Sequence, residues 1–442
     1  MNPGTSITEV LEILTFRSGF NTTVVIGGTA LLGLAAGVVG VFALLRKRSL
    51  LADAVSHATL PGIAIAFLTA GLLGMEPRSL PVLLLGAAIS GLAGTGAIHL
   101  IVHHSRLRED AAIGIVLSVF FGLGIVLLSY IQSEAATGSA GLNAFIYGQA
   151  ATMRTADVLL MGAIAVVSIA LPAVLHKELA LACFNADFAR VDGWPVARLD
   201  LVIVALIVLV TVAGLQAVGL LMVVALLIIP PAAARFWTER LWVLLVLSGF
   251  VGAASGYAGA AISAAFPNRP AGAVIVLTAG FFFAVSMFAA PRRGIAAALI
   301  RRARLRLRIV CDHVVEAMHD AGVDELARTD FADLIVNLGW SPRLVAPVRL
   351  VLAQQRLARP RPGGGLSLTE AGRARGRRVS RNHALWTRYL ITHADIAPSH
   401  VDWSVDQVEH ALSAELIARL EADLAANPAA RPEPRAAKGA SA

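Results

Sequence analysis

Nine apolar runs, each about 20 residues long, decide what this chain can become. That length matches the roughly 30 Å hydrocarbon core of a bilayer. They are Thr22–Leu45, Leu50–Ala70, Ser79–Ile101, Ala111–Ile131, Ala156–Leu175, Leu199–Ala217, Val218–Phe236, Leu241–Ala264 and Gly272–Ala290. Inside lipid every backbone N–H and C=O must be satisfied within the protein, so runs of this length read as helices. The sixth and seventh join through Gly214–Gly219 with no polar loop. Nine spans are therefore expected, or eight with a re-entrant piece.

Charge divides the 442 residues in two. Charged residues make up 15% of the chain, against about 25% in soluble domains. Up to Ala290 there are 14 Lys+Arg and 13 Asp+Glu; from Pro291 onward there are 23 and 16. A nearly neutral membrane part thus precedes a basic soluble part. The expected domains are residues 1–295, 296–424 and an Ala/Pro/Arg-rich tail, 425–442, of disordered composition. Arg46, Lys47, Arg48, Arg106, Arg108, Lys177, Arg190, Arg198, Arg235 and Arg240 fall in alternate loops, against four basic residues in the others. The positive-inside rule makes the richer set cytoplasmic. With nine spans the N-terminus lies outside and Pro291 emerges inside, where seven arginines between Arg292 and Arg308 suit contact with anionic lipid. Cys183 and Cys311, both placed in the cytoplasm, are expected as reduced thiols. Met1–Gly19 carries Glu9 and Glu12 and lacks a basic segment followed by an apolar core, so no cleavable signal is expected.

Within the second run, LLADAVSHATLPGIAIAF (Leu50–Phe67), stand Asp53 and His57. A carboxylate at the centre of a membrane helix costs roughly 3 kcal/mol, and it is rarely kept without a partner or a task. The i, i+4 spacing puts both side chains on one helix face. An oxygen and an imidazole there make half of a divalent-metal site; a structural Asp–His hydrogen bond between packed helices is the alternative. Pro61 and Gly62 follow one turn later and loosen the helix. His99, His103 and His104 cluster near the cytoplasmic end of the third run and read as interfacial histidines, with a metal exit site as the other reading.

The same stretch resembles the second-helix signature of the permeases of manganese, zinc and iron ABC importers. The likeness continues through RLREDAAIGIVLSVFFGLGIVLLS (Arg106–Ser129), GLNAFIYGQAA (Gly141–Ala151), HKELALACFNADFARVDGWPV (His176–Val196) and GLQAVGLLMVVALLIIPPAAARF (Gly214–Phe236), covering about residues 20–290. The resemblance implies that Asp53 and His57 lie on the translocation path. It also implies that the loop His176–Arg198 is the coupling helix docking on an ATPase, with Asp187, Phe188, Arg190 and Gly193 as its contacts. From the residues alone that loop is a short helix, with Asp187 favouring its N-terminal dipole and Gly193-Trp194-Pro195 stopping it. No Gly-x-x-x-x-Gly-Lys-Ser/Thr occurs, so ATP hydrolysis is expected of another chain.

In the basic part, helices are expected over Leu307–Met318, Phe331–Leu338 and Leu344–Leu357. A capped turn, Gly339-Trp340-Ser341-Pro342, separates the last two, and a Pro360–Gly365 tip leads to the strand Leu366–Thr369. That order is the winged-helix plan. The segment from Leu366 to Leu424 resembles iron- and manganese-dependent repressors of the diphtheria-toxin-repressor type, and the likeness covers about residues 305–424. The resemblance implies metal ligands at His383, Asp406, Glu409 and His410, joined by Asp312 or His313 and by Glu316. Asp406, Glu409 and His410 share one helix face, and oxygen-plus-imidazole ligation suits manganese or ferrous iron. Thr387 and Asp402 depart from the family's ancillary site. Pro347 is expected to kink the would-be recognition helix, so DNA is not an expected partner.

The fold expected is an all-α polytopic membrane protein of type II ABC importer character, with eight or nine transmembrane helices. A cytoplasmic winged-helix α+β domain and a helical region follow. The function expected is a non-enzymatic permease for a divalent transition metal (manganese favoured, zinc and iron alternatives). The metal is the substrate and, at the tail, a regulator; no catalytic cofactor is expected. Expected partners are a cytoplasmic ATPase, an extracytoplasmic metal-binding protein, a second permease copy or paralogue, and membrane lipid. The competing expectation is a membrane-tethered, metal-responsive transcription regulator.

Overall fold

A computed structural model describes residues 19–46, 49–76, 79–134, 153–266 and 269–393, with Glu12 and a few positions between 415 and 422. The chain forms two compact units, residues 1–297 and 298–442.

The first unit is built of helices: α1 (Phe20–Leu45), α2 (Ser49–Leu72), α3 (Leu80–His104), α4 (Glu109–Glu134), α5 (Thr155–Val174), α6 (His176–Phe184), α7 (Ala186–Val191), α8 (Val196–Val218), α9 (Leu220–Arg235), α10 (Leu241–Ala265) and α11 (Ala271–Ala289). Among the described residues, eight of these are long and apolar enough to cross a membrane. The ambiguity between eight and nine is resolved at Gly219. Its φ of 85° ends α8 and starts α9, a conformation that favours a residue without Cβ. With 16 residues, α9 is about 24 Å long, too short to span unaided.

Glycines set the closest crossings. On α1, Thr29, Gly33 and Gly37 face Gly256, Gly252 and Ser248 of α10, a small-xxx-small arrangement that lets backbones touch. Ser248 Oγ donates a 2.6 Å hydrogen bond to the Gly37 carbonyl. The α2–α3 crossing repeats the device: Gly62 lies against Gly86, and Ser90 Oγ donates to the Ala58 carbonyl at 2.6 Å.

One end of this unit gathers the termini of several helices. Arg46, just after α1, reaches Asp200 Oδ2 at 2.6 Å and the Ala182 carbonyl at 2.8 Å. Val41, Ala234, Leu241 and Leu244 form one apolar cluster, and Arg293 pairs with Glu239. The short α9 therefore returns the chain to the end where α1 finishes and α8 and α10 begin.

The second unit starts within α12 (Ile295–Asp320), followed by β1 (Glu325–Leu326), α13 (Arg328–Asn337), a 3-10 turn (Pro342–Leu344), α14 (Val345–Gln354), β2 (Ala358–Pro360), β3 (Leu366–Leu368) and α15 (Glu370–His393). β3 is central and antiparallel to both neighbours, with Ser367 opposite Glu325 and Arg359. The core holds Val310, Val314, Phe331, Ile335, Val348, Leu352 and Leu366. Ser341 caps the turn by accepting from the Arg343 amide, and Thr369 Oγ1 accepts from the Gly372 amide at the start of α15.

Two expectations are corrected. The first tail helix begins at Ile295, not Leu307, because Ile295–Ala298 and Leu299–Arg306 contain no helix breaker. Pro347 does not kink its helix. It is the third residue of α14, within the first turn, where a missing amide removes no intrahelical bond.

Candidate metal pathway and tail site

Asp53 and His57 lie on one face of α2, with His57 Nε2 3.5 Å from Asp53 Oδ1. The His57 side chain is 13% exposed and that of Asp53 37%. The pair is not central in its helix. Asp53 is the fifth residue of α2, about 6 Å of rise from Ser49, and His57 stands about 12 Å in. The cost of the carboxylate is correspondingly lower than at mid-bilayer.

The neighbours of His57 complete the local chemistry. The Phe121 ring of α4 packs against it in a T-shaped pair, 4.9 Å between centroids and 84° between planes. Its Nδ1 is buried with no hydrogen-bond partner, so one ring nitrogen is left over for a ligand. Pro61 cannot donate the amide that would bond the His57 carbonyl four residues back. An imidazole, a carboxylate and an underused carbonyl thus share two turns of α2. Phe121 and the His57 carbonyl were missed from the sequence; the Pro61 spacing signalled the second. Among the described residues no group of three or more His, Cys, Asp or Glu converges as a cage.

In the loop, Asn185 caps α7, its Oδ1 accepting from the Phe188 amide at 3.0 Å. Asp187 and Arg190 pair at 2.7 Å while remaining highly exposed. Gly193 turns the chain at φ 86°, and Trp194 Nε1 donates to Asp192 Oδ2 at 3.0 Å. Phe188 is 56% and Val191 88% exposed. The helix is six residues long and shows an apolar edge and an ion pair outward. Cys183, just before it, has its thiol pushed up to about 11 by burial.

In the tail, Glu316 of α12 and His383 of α15 come together, with Oε1 3.7 Å from Nδ1. Asp312, one turn before Glu316, also faces α15. Arg375 holds it in a bidentate pair at 2.9 and 2.7 Å, with the carboxylate 4% exposed. Of the two alternatives on the first tail helix, Asp312 is thus already committed. His313 is nearly buried, its ring 6.0 Å from that of Trp340. Arg375 was missed because it hides in the run Arg373–Arg378. Asp406, Glu409 and His410, with Asp402, lie outside the described residues. Burial pushes the Cys311 thiol up to about 12, with Asp312 adding to the effect.

The model of the ABC 3 transport family matches residues 20–290, well over half of the chain. The chain is a member of the ABC 3 transport family. Residues 369–434 match a second model, that of the iron dependent repressor metal binding and dimerisation domain. The manganese transport system membrane protein MntC of Bacillus subtilis (strain 168) is 40% identical over 377 residues, 85% of this chain and 86% of that one. This similarity outruns the membrane unit and extends into the tail. The zinc transport system membrane protein TroC of Treponema pallidum (strain Nichols) is 46% identical over 283 residues, 64% of this chain and 93% of that one. Among solved structures, PsaBC from Streptococcus pneumoniae in complex with Fab matches with a TM-score of 0.57 and 31% identity, over 65% of this chain and 97% of that one. As an ABC 3 family member the chain is a multi-pass membrane protein.

Proposed function

We propose that the chain is the membrane permease subunit of an ABC importer for a divalent transition metal, manganese favoured, with Asp53 and His57 as a transient station on the path. The observation that carries this reading is the buried, unpartnered Nδ1 of His57 beside a carboxylate 3.5 Å from its other nitrogen. One oxygen and one nitrogen suit manganese, ferrous iron and zinc alike. The relatives MntC and TroC are named for manganese and zinc. A two-ligand station releases what it binds, as conduction requires.

The basic end of the membrane unit faces the cytoplasm on this reading. There α7 presents Phe188 and Arg190 to a separate ATPase. A second permease copy or paralogue completes the pathway, and an extracytoplasmic binding protein delivers the ion. The tail acts as a cytoplasmic metal-sensing domain through Glu316 and His383, with His313, Asp406, Glu409 and His410 as further ligands. Its helix-turn-helix and wing order is of the winged-helix kind. DNA reading is disfavoured: the outward side of α14 offers Ala346 and Leu350, the latter 59% exposed. Arg349, the residue type that reads guanine, donates instead to the Gly364 carbonyl at 3.1 Å.

The test is metal uptake by cells carrying or lacking this chain, with manganese, zinc and ferrous iron in competition. The chain should restore accumulation of one of them. If restoration fails for all three while the complete transporter is expressed, the reading is wrong. Removing residues 298–442 should relieve inhibition at high cytosolic metal.

A further inference from the structure

Outside the α2 pair, one set of side chains meets the requirements of a chelate. His99 and His103 lie at i, i+4 near the C-terminus of α3, both exposed. Their rings are 15° from parallel with centroids 5.6 Å apart. A tetrahedral ion bound by two imidazoles at about 2.0–2.1 Å would set ring centroids about 5.2 Å apart. The centroid spacing is thus within about 0.4 Å of a chelate; because the rings lie stacked, both must also turn to aim one nitrogen each at a common ion, which exposed side chains are free to do. Two histidines at this spacing on one helix face are a known zinc-holding arrangement.

The surroundings define what kind of site this is. The His104 ring also stands near that of His103, 5.8 Å between centroids at 66°, but its Nδ1 lies 3.2 Å from the Leu100 carbonyl of its own helix. No third His, Cys, Asp or Glu converges among the described residues. A bound ion would keep open positions for water or for a handover. Arg106 and Arg108 follow within five residues and weaken cation binding, while Glu109 and Asp110 open α4 and offset them. Gly62 against Gly86 and Ala58 against Gly94 fix the antiparallel register of α2 and α3, so His99 sits at about the level of Asp53. Ile98 is buried, and the two histidines face away from α2.

We propose that His99 and His103 form a second, separate metal station, a two-imidazole chelate at the end where the ion leaves the membrane unit. All-nitrogen ligation places its occupant with zinc, cobalt or nickel ahead of manganese. The assignment as an exit station rests on the Asp53–His57 reading; the binding does not.

The experiment is a zinc titration of the full-length chain in lipid nanodiscs, with zinc as the only added metal. His99→Ala/His103→Ala should lose one zinc equivalent per chain relative to wild type, whereas His104→Ala should retain it. Both histidines are exposed, so the elution profile and helix content should not change. An unchanged zinc count in the double variant overturns the proposal. Repeating the titration in an Asp53→Asn/His57→Ala background separates the two readings: the equivalent held by His99 and His103 should persist there, and its loss would show that the pair does not bind independently.

Discussion

Gly33 and Gly252 meet backbone to backbone: a methyl group on Gly252 would lie 2.0 Å from the Gly33 carbonyl oxygen. The clash is with backbone, so no side chain can move aside. Gly252→Leu should therefore separate α1 from α10 and abolish the folded membrane unit, an overpacking cost of about 3 kcal/mol or more. Gly280 of α11 has nothing within 4 Å of the same added atom, and Gly280→Ala should fold normally. Size-exclusion profiles of the two variants check this; a monodisperse Gly252→Leu protein would contradict it.

The Arg375–Asp312 pair predicts a stability effect confined to the tail. Arg375→Ala would take the bidentate partner from a carboxylate that is 4% exposed. Breaking a buried pair costs about 3–5 kcal/mol; because Arg375 is itself about one-third exposed, about 2–3 kcal/mol is expected. Arg375→Lys should recover only part of it, since an ammonium cannot reproduce the bidentate contact. Hydrogen exchange of α12 and α15 in the full chain should rise for Arg375→Ala and stay unchanged in α1 and α10.

Cys183 should behave as a protected thiol. With its titration pushed up to about 11, roughly one molecule in a thousand carries thiolate at pH 8, against roughly a quarter for a free cysteine. A raised value means that reactivity grows with pH. Alkylation should climb about tenfold per pH unit from pH 7 to pH 10 without levelling near pH 9. A plateau near pH 9 would show an ordinary, solvated thiol.

Exposure makes the loop helix α7 separable from the fold. Phe188 and Arg190 are 56% and 63% exposed, so Phe188→Ala and Arg190→Ala should leave the membrane unit intact. Uptake should fall together with retention of the ATPase during co-purification. Loss of uptake with full ATPase retention would move the role of α7 elsewhere.

Much of this was legible in the sequence because bilayer physics is severe. Apolar runs located the long helices, and the spacing of Asp53 and His57 placed both on one face. What the sequence could not show was depth and partnership. The helix start at Ser49 moved Asp53 toward the membrane boundary. Gly214–Gly219 was legible as a join between two apolar runs, but only the φ of 85° at Gly219 showed where the helix breaks. Pro347 looked like a kink although the expected helix start at Leu344 already put it in the first turn, where its missing amide removes no intrahelical bond. Asp312 and His313 were equal candidates until Arg375, 63 residues away, claimed one. Side chains brought together from distant helices, Phe121 on His57 above all, leave no local periodic signal.

The most direct measurement is manganese uptake by cells expressing the complete transporter with Asp53→Asn or His57→Ala in this chain. Each variant should reach the membrane and hold its ATPase at wild-type levels while uptake drops about tenfold or more, the usual loss when a metal site is disturbed. Wild-type uptake by both variants, at equal membrane abundance, would contradict the account.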